Sequence, residues 1–70
     1  MRVVTISGEL VELYKLLKFE SMVSSGGEAK YVIAEGLVLV NGEVETRKRK
    51  KIVSGDIVEF GSEEIRIQLK

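Results

Sequence analysis

The sequence predicts an α+β domain in which two helices pack on a small, twisted, mostly antiparallel β-sheet. Two stretches with apolar residues at three-and-four spacing lie in the first half of the chain. Short β-branched or alternating segments open the chain and fill its second half, and an Asn-Gly pair there indicates a hairpin. Because helices and strands are segregated along the chain, the expected element order is β-α-α-β-β-β-β.

The first strand is predicted at Arg2–Ile6, where β-branched residues dominate. Ser7 and Gly8 end this strand, and Ser7 is placed to cap a helix that follows. That helix is expected from residue 9 to about residue 19. Four apolar residues recur on one of its faces, namely Leu10, Leu13, Tyr14 and Leu17.

The second helix is predicted to begin after Ser25. Ser25 and Glu28 have the spacing of a capping box, in which the serine hydroxyl and the glutamate carboxylate reciprocally satisfy free backbone amides. Ala29, Val32 and Ile33 form its expected buried face, and Gly36 is placed to end it in a left-handed cap.

A two-residue hairpin turn is predicted at residues 41–42, because Asn-Gly supplies the positive φ angles that such a turn needs. In this register Val40 faces Glu43 and Leu39 faces Val44. The second strand of the hairpin is expected to continue into residues 47–51.

Two strands are expected to close the fold after a turn at residues 54–56. The first covers residues 57–60, and in the second Ile65, Ile67 and Leu69 alternate with polar residues. A length of 70 residues predicts one domain over residues 1–70. No apolar segment has the length of a signal peptide or a membrane span, so we expect a cytoplasmic protein without a membrane partner.

The composition excludes many kinds of chemistry. The chain has no cysteine and no histidine, so it lacks disulfides, thiolate nucleophiles, the commonest metal ligand and the usual neutral-pH proton shuttle. Its glycine-rich segment lacks the spacing and the Lys-Ser/Thr ending of a nucleotide-binding P-loop. We therefore expect a protein that is not an enzyme and needs no metal or cofactor.

The formal charge is zero, but its distribution is uneven. Residues 47–51, the basic run, read Arg47, Lys48, Arg49, Lys50, Lys51 and carry +5, whereas residues 1–46 sum to −3 and residues 52–70 to −2. If the run is extended, alternate side chains share a side about 6.6 Å apart, and either row could follow a phosphate backbone. The alternative is a solvated strand or loop that only discourages edge pairing.

Gly26 and Gly27 open the second helix, although glycine costs about 1 kcal/mol relative to alanine inside a helix. Without side chains there, the free amides at the helix start are open to a phosphate that the helix dipole attracts, and Lys30 could add a positive charge. The alternative is that both glycines form a flexible loop end or allow close packing.

Four aromatic residues could in principle stack on bases. Tyr14 and Phe60 lie in apolar-patterned segments and are expected in the core. Tyr31 lies off the apolar face of the second helix and is expected to be exposed. A single exposed tyrosine is weak evidence for base stacking.

Residues 25–42 read Ser-Gly-Gly-Glu-Ala-Lys-Tyr-Val-Ile-Ala-Glu-Gly-Leu-Val-Leu-Val-Asn-Gly, and residues 55–58 read Gly-Asp-Ile-Val. From about residue 13 to residue 60 this pattern resembles the RNA-binding domain named after ribosomal small-subunit protein four, the S-four domain. Residues 16–30 together with the late basic run are most similar to its small stand-alone bacterial branch, the YbcJ-type proteins. The resemblance implies the αL motif and RNA binding by a face formed from the two helices and the hairpin.

The resemblance points to Ser25 and Lys30 and to the basic residues after the hairpin. Two positions depart from the family pattern, because Gly26 replaces an arginine after the serine and Glu12 lies near the arginine that commonly opens helix one. We expect the basic run to compensate. The candidate RNA-binding residues are Lys18, Ser25, Gly26, Gly27, Lys30, Arg47, Lys48, Arg49, Lys50 and Lys51.

The sequence supports two hypotheses of function. In the first, a monomer binds structured RNA, ribosomal or transfer RNA, through phosphate contacts from the basic run and the start of helix two, with the ribosome or RNA-processing proteins as further partners. In the second, the fold is a protein-interaction module, or an accessory that acts in trans on an RNA-modifying or ribosome-associated factor.

Overall fold

The computed structural model describes residues 1–69, with side chains through residue 68. This part of the chain forms seven strands and two helices. In chain order they are β1 (Arg2–Ile6), β2 (Leu10–Glu12), α1 (Leu13–Phe19), α2 (Gly26–Ala34), β3 (Val38–Val40), β4 (Glu43–Val44), β5 (Lys51–Val53), β6 (Ile57–Phe60) and β7 (Glu63–Leu69).

The strands form two sheets. The larger has the order β1-β7-β6-β3-β4, and the smaller pairs β2 with β5. Only the β1–β7 pair, in which Val4 lies opposite Ile67, is parallel among the described strand pairs. The predicted α+β class with a mostly antiparallel sheet is therefore confirmed, and the parallel pairing places the first and last strands side by side, with Arg2 opposite Ile65 and Ile6 opposite Leu69.

One apolar core joins the larger sheet to the helices. Alternation along β7 buries Ile65 and Ile67 and leaves Arg66 and Gln68 exposed, as predicted. The same prediction for the Leu69 side chain lies outside the described side chains. Leu13 and Leu17 of α1 are fully buried in this core. The inner face of the sheet thus packs against α1 and α2. Its outer face carries Arg66 and Gln68 together with the exposed side chains of Val3 and Val44.

The first helix is shorter than predicted. It begins at Leu13, and residues 10–12 form β2, in which Leu10 pairs with Val53. Glu12 is the N-cap, in extended conformation and without a side-chain capping bond, so the predicted cap at Ser7 is wrong. The spacing of Leu10 is compatible with a helix or a strand. Leu10 adopts the strand conformation because it pairs with Val53, 43 residues later in the chain.

The second helix has the predicted limits. Ser25 is its N-cap, and Gly36 follows its end with a φ of 76°. The predicted capping box forms only one of its two expected hydrogen bonds. The Ser25 hydroxyl accepts a hydrogen bond from the Glu28 N–H at 3.1 Å, but the Glu28 carboxylate accepts from the N–H and hydroxyl of Ser24, both at 2.7 Å. These two bonds from Ser24 hold the pKa of Glu28 below its ordinary value.

The predicted hairpin register is confirmed, with Val40 opposite Glu43 and a left-handed Asn41 at φ 53°. However, β4 ends at Val44 and does not continue into the basic run. Residues 45–50 leave the sheet, and the Lys50 N–H donates to the Arg47 carbonyl at 3.1 Å to close a turn. The expectation of an extended basic run with two alternating rows is therefore wrong for residues 47–50.

Candidate nucleic-acid interface

The basic run is fixed to the start of α1 by its backbone. The Leu13 N–H donates to the Lys50 carbonyl at 2.9 Å, and the Tyr14 N–H donates to the Lys48 carbonyl at 3.0 Å. The first amides of a helix have no partner within the helix, so these carbonyls supply the acceptors that α1 lacks. Four consecutive cations, residues 47–50, are consequently presented by a loop that is held in place, and the fifth, Lys51, is the first residue of β5.

This loop borders a concavity that is open to solvent. Residues 46–51 line a space of about 690 Å³. Five of these six residues carry a positive charge at neutral pH. The concavity is therefore bordered by cations and open to solvent.

Arg47 is the member of the basic run with the strongest internal partner. Its Nε donates to Glu45 Oε2 at 2.9 Å and its second guanidinium nitrogen to Oε1 at 3.1 Å, and its backbone N–H also donates to Oε2. These bonds lower the pKa of Glu45 to about 2. The Arg47 charge is therefore paired, although its side chain is 71% exposed.

A second acidic residue, Glu12, faces two more cations. One of its carboxylate oxygens lies 3.2 Å from Lys15 Nζ and the other lies 3.9 Å from an Arg49 nitrogen. Glu12 is near the position where the family pattern usually has an arginine, so here a carboxylate partly offsets the neighbouring positive charge.

The predicted lysines, unlike Arg47 and Arg49, form no ion pair within residues 1–69. No carboxylate within residues 1–69 lies at ion-pair distance from any of the five predicted lysines, which are Lys18, Lys30, Lys48, Lys50 and Lys51. A solvated lysine can be drawn to a phosphate without first giving up a protein partner. The exposed lysines among them, Lys18, Lys30, Lys48 and Lys51, are therefore the strongest candidates for phosphate contact. Lys50 is half-buried, and its charge contributes to the lowered pKa of Glu45.

Tyr14 connects the two helices and the basic run. Its ring centroid lies 5.0 Å from Lys30 Nζ on α2 and 5.9 Å from Lys15 Nζ on α1. The ring is half-buried and packs against the core, as predicted. Sequence reasoning missed Lys15, although its spacing of three from Lys18 on the polar side of the helix was an available signal.

The start of α2 lies beside α1. A Cβ placed on Gly26 would be 4.0 Å from Lys18 Cδ, and one on Gly27 would be 3.9 Å from Ser25 Oγ. The Ser25 hydroxyl is occupied by its capping bond, and the Glu28 carboxylate lies in the first turn of the helix. This helix start thus combines a neighbouring cation with a negative charge, and is less positive than the glycines alone suggest.

Comparison with known proteins gives the family. The protein-family model described as the S4 domain, which is the S-four domain of the sequence analysis, matches residues 4–68. The chain belongs to the S4 domain family.

Two similar proteins and one solved structure support this family. "Putative RNA-binding protein YbcJ" of Escherichia coli (strain K12) is 53% identical over 57 residues, which are 81% of each protein. "Probable ribosome maturation protein RlbA" of Bacillus subtilis (strain 168) is 40% identical over 62 residues, covering 84% of this chain and 87% of the relative. The solution structure of Escherichia coli YbcJ, described as revealing an αL motif involved in RNA binding, has a TM-score of 0.73 and 45% identity, covering 97% of this chain and 87% of the other. The predicted YbcJ-type resemblance is confirmed.

In this S4 domain the predicted site residues fall into two groups. Lys30 and the basic run meet around Tyr14, and Lys18 lies beside the start of α2. One helical turn of α1 separates Tyr14 from Lys18, so the two groups are joined along α1. Eight of the ten predicted residues are exposed, and Gly26 and Lys50 are half-buried.

Within residues 1–69 there is no group of three or more carboxylates that could hold a metal ion. The helices found in that range are too short and too polar to cross a membrane.

Proposed function

We propose that this S4 domain is a non-catalytic RNA-binding protein that binds structured RNA mainly through its phosphates. The observation that carries the proposal is the meeting of cations from three elements. The basic run is bonded to the first turn of α1, α1 contributes Lys15 and Lys18, and α2 contributes Lys30 over the Tyr14 ring.

At Tyr14, phosphate contact by the neighbouring cations is favoured over base stacking by the ring. Tyr14, the aromatic ring nearest the cations, is half-buried and has two ammonium groups over it. Base stacking needs an accessible ring face. Contacts to phosphates position a protein on RNA without reading the sequence, so we expect recognition of a folded RNA by its shape.

The names of the relatives support the class of RNA. YbcJ is named as an RNA-binding protein and RlbA as a ribosome maturation protein. We accordingly propose ribosomal RNA as the first target to test and transfer RNA as the second, with the ribosome or an RNA-processing protein as a further partner. The cytoplasmic location and the monomeric state remain predictions.

The proposal is tested by fluorescence anisotropy of a labelled ribosomal RNA hairpin at several salt concentrations. If four or five phosphates are neutralised, the logarithm of the association constant should fall with the logarithm of salt with a slope of about −3. Lys48→Gln and Lys51→Gln should each weaken binding and make the slope shallower by about 0.7.

Arg66→Gln is the matched control. Arg66 is an exposed cation on β7, and its pairing with Ile57 of β6 puts it on the outer face of the larger sheet. This variant removes one positive charge but should leave RNA affinity nearly unchanged. Equal losses in Lys51→Gln and Arg66→Gln, or no binding by the unaltered protein, would contradict the proposal.

A further inference from the structure

We propose that Tyr14 is a positioning residue of the RNA-binding surface, whose ring holds Lys30 and Lys15 so that both helices present their cations together. This inference rests on the proposed RNA-binding function. Tyr14 is outside the set of candidate residues that the sequence and the family pattern supply.

The geometry places Tyr14 at the junction of three elements. Its backbone N–H donates to the carbonyl of Lys48, which fixes the Tyr14 backbone relative to the basic run, and its ring packs against the core. Lys30 Nζ lies 5.0 Å from the ring centroid and Lys15 Nζ lies 5.9 Å from it. Both distances are within the range in which an ammonium is attracted by the negative face of an aromatic ring.

Lysine side chains have many rotamers, and an unrestrained lysine loses much of this freedom when it binds a phosphate. A ring that already favours a small set of rotamers reduces that loss. Lys30 has no ion pair within residues 1–69, so Tyr14 is the partner that fixes its ammonium. Lys15 has a second partner in Glu12, so Lys30 should depend on the ring more strongly.

The attraction comes from the ring and not from the phenol hydroxyl. Tyr14→Phe keeps the ring, whereas Tyr14→Leu keeps an apolar side chain against the core but removes the π face. Comparison of the two variants therefore tests the ring, and their combination with a Lys30 substitution separates an effect on the lysine from a loss of packing.

The test is a double-mutant cycle with RNA affinity as the readout. Tyr14→Phe should bind the labelled hairpin like the unaltered protein, and Tyr14→Leu should bind about two- to fivefold more weakly. Lys30→Gln should weaken binding less in the Tyr14→Leu background than in the unaltered protein. Lys51→Gln, which removes a lysine away from the ring, should have the same effect in both backgrounds. Equal effects of Lys30→Gln in the two backgrounds would overturn the proposal.

A second readout does not depend on RNA. In the unaltered protein and in Tyr14→Phe, the ε-methylene protons of Lys30 should be shifted upfield in the NMR spectrum by the ring current. Tyr14→Leu should remove this shift, and Lys30→Arg should keep an upfield shift on its δ-methylene protons. Lys30 protons at ordinary shifts in the unaltered protein would overturn the proposal, even if Tyr14→Leu does not fold. Failure of the unaltered protein to bind RNA, with the upfield shift present, would instead contradict the proposed function.

Discussion

Asn41 and Asp56, in two different turns, are joined side chain to side chain by a hydrogen bond of 3.0 Å from Asn41 Nδ2 to Asp56 Oδ1. Asn41 Oδ1 also accepts from the Ile57 N–H, and Asp56 Oδ2 accepts from the Val53 N–H, both at 2.9 Å. These residues belong to the Asn-Gly and Gly-Asp elements of the family pattern. Their bonds connect the hairpin to the ends of β5 and β6, which gives both side chains a structural role.

Replacing Asp56 with alanine should destabilise the fold. The substitution removes the acceptor for both Asn41 Nδ2 and the Val53 N–H, so we expect the free energy of unfolding to fall by about 1 to 3 kcal/mol. Urea denaturation followed by circular dichroism measures this change. Glu43→Ala removes an exposed carboxylate of the same hairpin and should change the free energy by less than about 0.5 kcal/mol. Equal effects of the two substitutions would contradict the structural role of Asp56.

The parts of the fold that could be predicted from the sequence are those set by local chemistry. The Ser25 cap, the left-handed Gly36 and the Asn41 turn each depend on residues within four positions of one another. The pairing of β1 with β7 and of β2 with β5 depends on segments far apart in sequence, and no local pattern reveals it. The local spacing of Leu10 predicts a helix, whereas its pairing with Val53 places it in β2.

The candidate site shows the same division. The sequence gives the number and type of charges in the basic run, but its conformation depends on the free amides of Leu13 and Tyr14, which are distant in sequence. The pairing of Arg47 with Glu45 had a local signal, since residues two apart share one side of an extended segment. The placement of Lys30 over Tyr14 could not be inferred, because it requires the packing of α1 against α2.

The Glu45–Arg47 pair should make stability depend on pH in the acid range. The pKa of Glu45 in the folded protein is about 2, below its ordinary value of 4.5, because Arg47 donates to the ionised carboxylate. This stabilisation is therefore complete above pH 4.5 and is lost as the pH falls from 4.5 towards 2. Urea midpoints measured from pH 7 to pH 2 should fall less steeply in this interval for Glu45→Gln than for the unaltered protein.

The exposed Arg47 guanidinium keeps this contribution small, and added salt should reduce it further. Glu9→Gln, in the turn before β2, removes a glutamate without an ion pair within residues 1–69 and is the control. A constant difference between Glu45→Gln and the unaltered protein at every pH would show that the carboxylate charge is not responsible.

Arg47 should contribute less to RNA affinity than the unpaired lysines. Its guanidinium already donates two hydrogen bonds to Glu45, so a phosphate must compete with the Glu45 carboxylate for this guanidinium. Arg47→Gln should reduce affinity and salt dependence by less than Lys51→Gln does. Glu45→Gln should tighten binding and steepen the salt slope, because it releases the Arg47 charge.

The control for this prediction is the double variant Glu45→Gln/Arg47→Gln. It should lose the gain in affinity, because the released cation is no longer present. Tighter binding that persists in the double variant would mean that Glu45 acts by repelling RNA directly and not by pairing with Arg47.

Gly27 allows the role of the α2 start to be measured separately from its stability. A Cβ at this position meets only Ser25 Oγ at 3.9 Å, an ordinary contact, so alanine fits without strain. Gly27→Ala should raise the free energy of unfolding by up to about 1 kcal/mol, because alanine favours the helix. The new methyl group tilts toward the start of the helix, so it should also hinder a phosphate that approaches the free amides and weaken RNA binding.

Thermal unfolding and fluorescence anisotropy on the same samples measure both effects. Gly8→Ala, outside α2, is the control and should leave RNA affinity unchanged. If Gly27→Ala is more stable and binds RNA as tightly as the unaltered protein, the glycines are not needed for phosphate access, and Lys18, Lys30 and the basic run must account for binding.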